Sequence, residues 1–504
     1  MDRRTPGPFR FGAVFLVIAM ALAGISSLSA FELNLNGTFR SLPDEVTLRG
    51  LCYLVPTDLG YEQGLALSEL LPPLIDAWKL ECLHGKTTRL WQDETLAERL
   101  KGFFLIPSEK GTWDFYADGT RHKDLRSLSI HGDRAEEGEL EVWLSWEGVP
   151  ELKTELERWS MLSGAKIRAV DVPDTRAKYL TTLRGGGRPP DLVMIQSDNL
   201  ADFLSAQALQ PLDRIETGEL SAKGKEAFRI DERLWALPFY FDSQLVFYNT
   251  RLVPEAPRDD WTLDDLERIA DSVAAKGRTP LSWNLYSAYW LLSFASGFGK
   301  ASISDPDGGV RPDDPGTKRA LAWMLDMIKS GRIAALERDA MMARFASGEI
   351  GMILSGSYSI PEFERIGLPF AVAPYPRVVS TGRPVAPLLD FKGFAMSRSS
   401  RSPVSAQRLL EHLSGIGAQQ RFAAALSKIP ANEKAWEAAR GSNRYHRQLS
   451  RSAEIGLVIP PGPGYATYKN IMWKMLRFIF SGVMEPDKAL AEARRLIDAN
   501  LRMK

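Results

Sequence analysis

At 504 residues, with 63 basic and 63 acidic side chains cancelling, the chain is too long for a single hydrophobic core and carries no cationic surplus. That balance argues against a nucleic-acid partner, because a phosphate-binding surface leaves an excess of Lys and Arg. A hydrophobic content of 44% and a charged content of 25% are those of an ordinary globular protein.

Residues 1–30 differ in character from the rest. Arg3, Arg4 and Arg10 precede an apolar run from Phe11 to Ile25, which small residues close in Ser26-Ser27-Leu28-Ser29-Ala30. This pattern predicts an export signal cut near Ala30 and a periplasmic or extracytoplasmic location; an uncleaved membrane anchor is the alternative, since the run is slightly short of a spanning helix. No cysteine lies near the cut, so lipid anchoring there has no support. In an exported chain the two cysteines, Cys52 and Cys82, invite a disulfide, which is expected here over two free thiols.

From Phe31 to Glu137 the sequence has a β texture. Phe31-Glu32-Leu33-Asn34-Leu35 and Glu45-Val46-Thr47-Leu48-Arg49 alternate, and Asn36-Gly37 and Asp118-Gly119 mark turns. Leu65 to Leu80 reads as helical, and the whole as a small, mostly β domain, a sandwich in outline. Trp113, in an aromatic run ending at Asp118-Gly119, is expected in the core rather than on the surface as a sugar-stacking ring. The charged, aperiodic stretch Asp133 to Gly138 is the expected linker.

Beyond it the pattern changes. Leu140 to Ser145 is a predicted strand, Leu152, Leu156 and Trp159 share one face of a helix ending near Gly164, and Lys166 to Val172 is a second strand. Another helix runs through Tyr179 and Leu183, and Leu192-Val193-Met194-Ile195 is a third strand. Such alternation predicts parallel β-structure covered by helices. Gly185-Gly186-Gly187 follows a helix and precedes a strand, the reverse of a phosphate loop, so it is a helix stop.

The run Pro238-Phe239-Tyr240-Phe241-Asp242-Ser243-Gln244-Leu245-Val246-Phe247-Tyr248-Asn249 predicts a buried strand carrying one carboxylate. A buried lone charge is costly, so Asp242 must meet a cation or face a wet cleft where a ligand completes its hydrogen bonds.

This run, with Trp146-Glu147-Gly148, Pro190-Asp191-Leu192-Val193, Tyr248-Asn249-Thr250-Arg251, Phe345-Ala346-Ser347-Gly348-Glu349-Ile350-Gly351-Met352 and Lys428-Ile429-Pro430-Ala431, resembles the family 1 extracellular solute-binding proteins of ABC importers, the maltose-binding-protein-like receptors. Trp261-Thr262-Leu263-Asp264-Asp265-Leu266 adds a capping-box helix start in the same order. The resemblance covers about residues 138–504. It implies an α/β, two-lobed periplasmic-binding-protein fold with a hinge, preceded by the small mostly-β domain. One lobe spans about 138–241 and 382–429, the other about 242–381 and 430–504, and the chain crosses near Asp242, Thr381 and Pro430.

It further implies a non-catalytic, monomeric receptor that closes on a small-molecule solute, a sugar or related polyol, and docks on the transmembrane subunits of an ABC permease. No cofactor or metal is implied: the histidines are scattered, and no nucleophile elbow, zinc motif or paired Cys motif occurs. An extracellular carbohydrate-active enzyme or sensor reusing the fold is the alternative, with the amino-terminal domain as a polysaccharide anchor. By resemblance the ligand-binding residues are Trp146, Glu147, Asp198, Asn199, Asp242, Tyr289 and Tyr358, with Tyr465, Tyr468 and Trp473 near a further contact region. Asp198 has a rival role as an N-cap to a helix beginning at Leu200. Ile195 and Asn199 stand where maltodextrin binders of the family carry Trp and Arg, which puts long maltodextrins in doubt and leaves monosaccharides, other oligosaccharides and polyols open.

Overall fold

The computed structural model describes residues 31–502 except 72–74, 94, 109–110, 135–137, 214, 216, 301–302, 305–309, 427 and 442. The export segment expected over residues 1–30 lies outside them. The chain divides into two compact units, with the boundary between Arg134 and Ala135. Among the described residues no helix is long and apolar enough to cross a membrane.

The first unit holds two five-stranded sheets. One runs in the order Thr38–Arg40, Glu32–Leu35, Leu125–Arg134, Ile75–His84 and Thr87–Gln92; the other is the meander Tyr53–Thr57, Gly60–Ala66, Phe104–Pro107, Trp113–Ala117 and Thr120–His122. Aromatic side chains join them: Trp91 meets Phe115 edge-on at 5.6 Å, and Phe31 meets Trp113 at 6.1 Å. Trp113 is fully buried and its indole N–H donates to Glu45, as expected of a core residue.

Three expectations fail in this unit. Glu45-Val46-Thr47-Leu48-Arg49, expected to alternate as a strand, lies in the helix Glu45–Leu51, whose start is fixed by the Asp44 side chain accepting from the Thr47 N–H. The segment from Leu65 to Leu80 is not helical: it contains the end of one strand, the single 3-10 turn Leu67–Leu70, and the start of another strand. Leu65 pairs with Leu105 and Leu80 with Ile130, so strand partners distant in sequence outweigh the local helical pattern. Nor are the cysteines bridged. Cys52 closes the helix Glu45–Leu51, its thiol donating to the Leu48 carbonyl, whereas Cys82 is enclosed in mid-strand opposite Arg89 and Leu128. Burial pushes the thiols up to about 11 and about 12 respectively, which keeps both protonated.

The second unit is built on one large sheet with helices around it. Its main path runs Ile167–Asp171, Leu140–Leu144, Leu192–Gln196, Leu388–Ser397, Leu237–Asn249, Ile350–Gly356, Thr279–Trp283 and Ile333–Ala335. The first three strands are mutually parallel, as are the last three; the two in the middle run antiparallel to each other and to their outer neighbours. Parallel trios need covering crossovers, which the helices Val149–Ser163 and Thr175–Arg184 supply for the first. Leu152, Leu156 and Trp159 are the buried stripe of the former, which ends at Gly164 in the left-handed conformation (φ 77°) that glycine adopts without penalty. Thr175–Arg184 stops at Gly185, as the glycine triplet predicts.

The strand Leu237–Asn249 ties the two halves together. All 13 of its residues are buried, which is why it reads as a near-continuous apolar run. Leu237 to Ser243 pair with Phe394 to Leu389 in one half; Gln244 to Tyr248 then pair with Gly356 to Met352 in the other. The crossing therefore falls beside Asp242. Ile429–Pro430 makes a further short pairing with Phe241 and Tyr240. Thr262 and Asp265 form the expected capping box at the start of Leu263–Ala274.

Candidate functional site

Between the two halves lies a cavity of about 260 Å³. The first half contributes Gln196, at the end of its strand, and Asp198, in the single 3-10 turn Ser197–Asn199 that follows. The second contributes Tyr289 and Trp290 from the helix Ala288–Gly297, and Tyr358 from the turn after Ile350–Gly356. Asp390, on the central strand Leu388–Ser397, and Tyr465 and Lys469, on the helix Pro463–Phe480, add to the polar and aromatic surface, which also includes Asn284, Ser287, Arg338 and Ser355. Strand ends and helix starts supply most of this lining, where backbone geometry changes and side chains are released from the sheet.

Three residues expected at the site, Asp198, Tyr289 and Tyr358, are thus brought together. Four are not. Asp242 is only 1% exposed and its carboxylate is already engaged: Lys428 donates at 2.9 and 3.1 Å, Lys392 at 2.9 Å and the Ser357 hydroxyl at 2.8 Å. Burial alone would raise its pKa, yet the two ammonium groups hold it well below the usual carboxylate range. Asp242 therefore meets cations rather than a wet cleft, and serves the crossing as a strut. Trp146 is half-buried against the core in a left-handed backbone conformation (φ 65°), Glu147 is exposed with Lys428 at 3.5 Å, and Asn199 is half-buried; none of the three faces the cavity. Asp198 makes no N-cap bond to Leu200–Ser205, and Asn199, which precedes that helix, makes none either.

Asp390, Gln196, Lys469 and Trp290 escaped the sequence reading. Asp390 had a usable signal: in Leu388-Leu389-Asp390-Phe391-Lys392 it is a lone carboxylate in an apolar strand, the same signature that singled out Asp242. Gln196 lies two residues before Asp198 on the same strand exit.

The lining is electrically structured. Asp390 accepts from Gln196 at 2.7 Å and from Lys392 at 2.9 Å, so it links the cavity wall to the Asp242 cluster. Burial and the charges of Asp198 and Asp242 hold its carboxyl above the ordinary value although Lys392 pulls the other way. Burial would lower Lys392, but Asp242 and Asp390 keep its ammonium well above the usual range. Asp198 accepts from Lys469 at 2.6 Å through Oδ2, while its Oδ1 is buried without a hydrogen-bond partner. Burial raises Tyr289, Tyr358 and Tyr465, so all three remain neutral phenols; Tyr289 donates to the Leu388 carbonyl at 3.1 Å. Ring faces beside acceptor oxygens can hold a molecule with an apolar face and a rim of donors. Among the described residues no cluster of His, Cys, Asp and Glu suited to a metal ion occurs.

The family of bacterial extracellular solute-binding proteins matches residues 163–446, more than half of the chain. The chain is 25% identical over 203 residues to a maltotriose-binding protein of Pyrococcus abyssi and 23% identical over 263 residues to a maltodextrin-binding protein of Bacillus subtilis. These stretches cover 39% and 49% of this chain but only 44% and 62% of those relatives. A galactooligosaccharide-binding protein of Bacillus subtilis aligns at 21% identity over 73% of this chain and 90% of its own. Among solved structures, the GacH receptor of Streptomyces glaucescens, determined unliganded and with acarbose, superposes with a TM-score of 0.64 at 21% identity, covering 72% of this chain and 99% of that one. The maltotriose-binding protein of Thermus thermophilus bound to maltotriose gives 0.63 at 20% identity, covering 72% and 100%. These superpositions show a shared two-lobed α/β fold. On the match of residues 163–446, the chain belongs to the bacterial extracellular solute-binding proteins.

Proposed function

We propose that the chain is the substrate-binding receptor of an ABC importer, capturing a sugar or related polyol in the cavity between its lobes and presenting it to a membrane permease. The observation that carries this reading is the cavity between the halves, where the carboxylate-bearing residues Asp198 and Asp390 stand beside Tyr289, Tyr358, Tyr465 and Trp290. A pyranose face covers an aromatic ring while its hydroxyls donate to carboxylate and amide oxygens at the wall. Relatives that bind maltotriose, maltodextrin and galactooligosaccharide support the carbohydrate class. The lobes in this reading are residues 138–241 with 382–429 and residues 242–381 with 430–504, turning about the crossing beside Asp242. A solute drives closure only through its extra affinity for the closed state. Residues 1–30 act as the export signal, which places the receptor outside the cytoplasm, and no bond of the solute is broken.

A thermal-shift screen of the full chain against glucose, maltose, maltotriose, galactooligosaccharides, acarbose and simple polyols tests the proposal. A ligand at a hundredfold its dissociation constant adds about 2.7 kcal/mol to stability. Silence across the panel refutes carbohydrate capture, and appearance of cleaved sugar under the same conditions replaces the receptor with an enzyme.

A further inference from the structure

We propose that Lys469 is a positioning residue of the cleft: its ion pair with Asp198 joins the two halves at the cavity, holds the Asp198 carboxylate at the wall, and forms as the lobes close. The proposal rests on the cavity being the solute site and adds to that site a residue whose role is mechanical as well as chemical. Asp198 sits in the turn that ends the strand Leu192–Gln196 of one half of the sheet. Lys469 sits in the helix Pro463–Phe480, whose Phe480 packs against Tyr286 and whose Arg477 pairs with Glu337, both in the other half. The 2.6 Å contact between Lys469 Nζ and Asp198 Oδ2 thus joins elements from the two halves of the sheet.

The two partners are buried unequally, and that asymmetry separates this pair from the one at the crossing. The Lys392 and Lys428 side chains are 3% and 0% exposed, with Asp242 at 1%, so separating them strands a charge in the interior. Lys469 is 41% exposed against 7% for Asp198. Its ammonium, lying 5.8 Å from the centre of the Tyr465 ring, can return to water along its flexible stem when the lobes part. The first cluster is a permanent strut and the second a contact that can be made and broken. By donating to Oδ2, Lys469 holds the Asp198 carboxylate at the cavity wall.

Hydrogen–deuterium exchange of the solute-free full chain tests this. Lys469→Met is expected to speed exchange at residues 197–205 in the first half and at 354–358, a wall of the cavity that bonds neither partner. Lys469→Arg, which keeps the charge, should exchange as the native chain does. About 0.5 M sodium chloride should speed the same segments in the native chain and change nothing further in Lys469→Met, since exposed charges are screened. Faster exchange confined to residues 463–480, or Lys469→Arg behaving as Lys469→Met, overturns the proposal. A parallel titration with maltotriose separates the two readings: if neither the native chain nor Lys469→Arg binds it or any sugar of the panel, carbohydrate capture fails while the exchange result still decides the cross-cavity contact.

Discussion

Replacing Asp242 by Asn should cost about 3–5 kcal/mol of folding stability, the range for removing one partner of a buried ion pair. The magnitude follows from what the lysines keep. Lys392 retains Asp390 at 2.9 Å, but Lys428, with a side chain 0% exposed, retains only the half-exposed Glu147 at 3.5 Å. One ammonium is therefore stranded, and the cost falls mainly on Lys428. Urea denaturation of Asp242→Asn, Lys428→Met and the double variant gives the coupling; the double should be less destabilised than the sum of the singles. The pH dependence has a definite sign. The folded pKa of Asp242 is depressed, so its contribution is complete above the unfolded value of about 3.9 and is lost as pH falls below it toward the folded value. At pH 3 the penalty of Asp242→Asn should be smaller than at pH 7 by about 1.2 kcal/mol, a shortfall of about 0.9 pH units at 1.36 kcal/mol each. A penalty below about 1 kcal/mol at pH 7, or one equal at the two pH values, would show that the cluster is not the strut described.

Other substitutions probe the rest of the structure. Tyr358→Ala should weaken an identified sugar about tenfold by calorimetry, the upper range for one lost aromatic contact, and leave far-UV circular dichroism unchanged. Asp198→Asn should weaken the same sugar, whereas Asn199→Ala, at a position that does not face the cavity, should leave its affinity unaltered. Gly148→Ala should destabilise by about 1–3 kcal/mol in a thermal melt, since an added Cβ would lie 2.4 Å from Leu426 and 2.6 Å from Phe422 at a backbone φ of 88°. Thr262→Ala removes the capping box and should cost about 1 kcal/mol by the same measurement.

The parts of this protein that the sequence by itself determined are those governed by near neighbours. The parallel trio beginning at Leu140 follows from apolar runs alternating with helical stripes, the ends of two helices from Gly164 and Gly185, the start of another from Thr262 and Asp265, and the crossing strand from the largely apolar run Pro238 to Asn249. Motif order alone carried the family resemblance, because each motif reports a local backbone requirement.

What only the tertiary structure decided is where side chains from distant segments point. Asp242 looked like a ligand contact until Lys392 and Lys428, 150 and 186 residues further along, took its oxygens; no local pattern encodes a pairing over that distance. Asp390 carried the same signature and went to the cavity instead, because its neighbours leave it at the wall rather than behind it. The strands at Leu65 and Leu80 likewise depended on partners at Leu105 and Ile130. Backbone propensity is set within a few residues along the chain, whereas the fate of a buried charge or a strand edge is set by whichever group packing brings within hydrogen-bond reach.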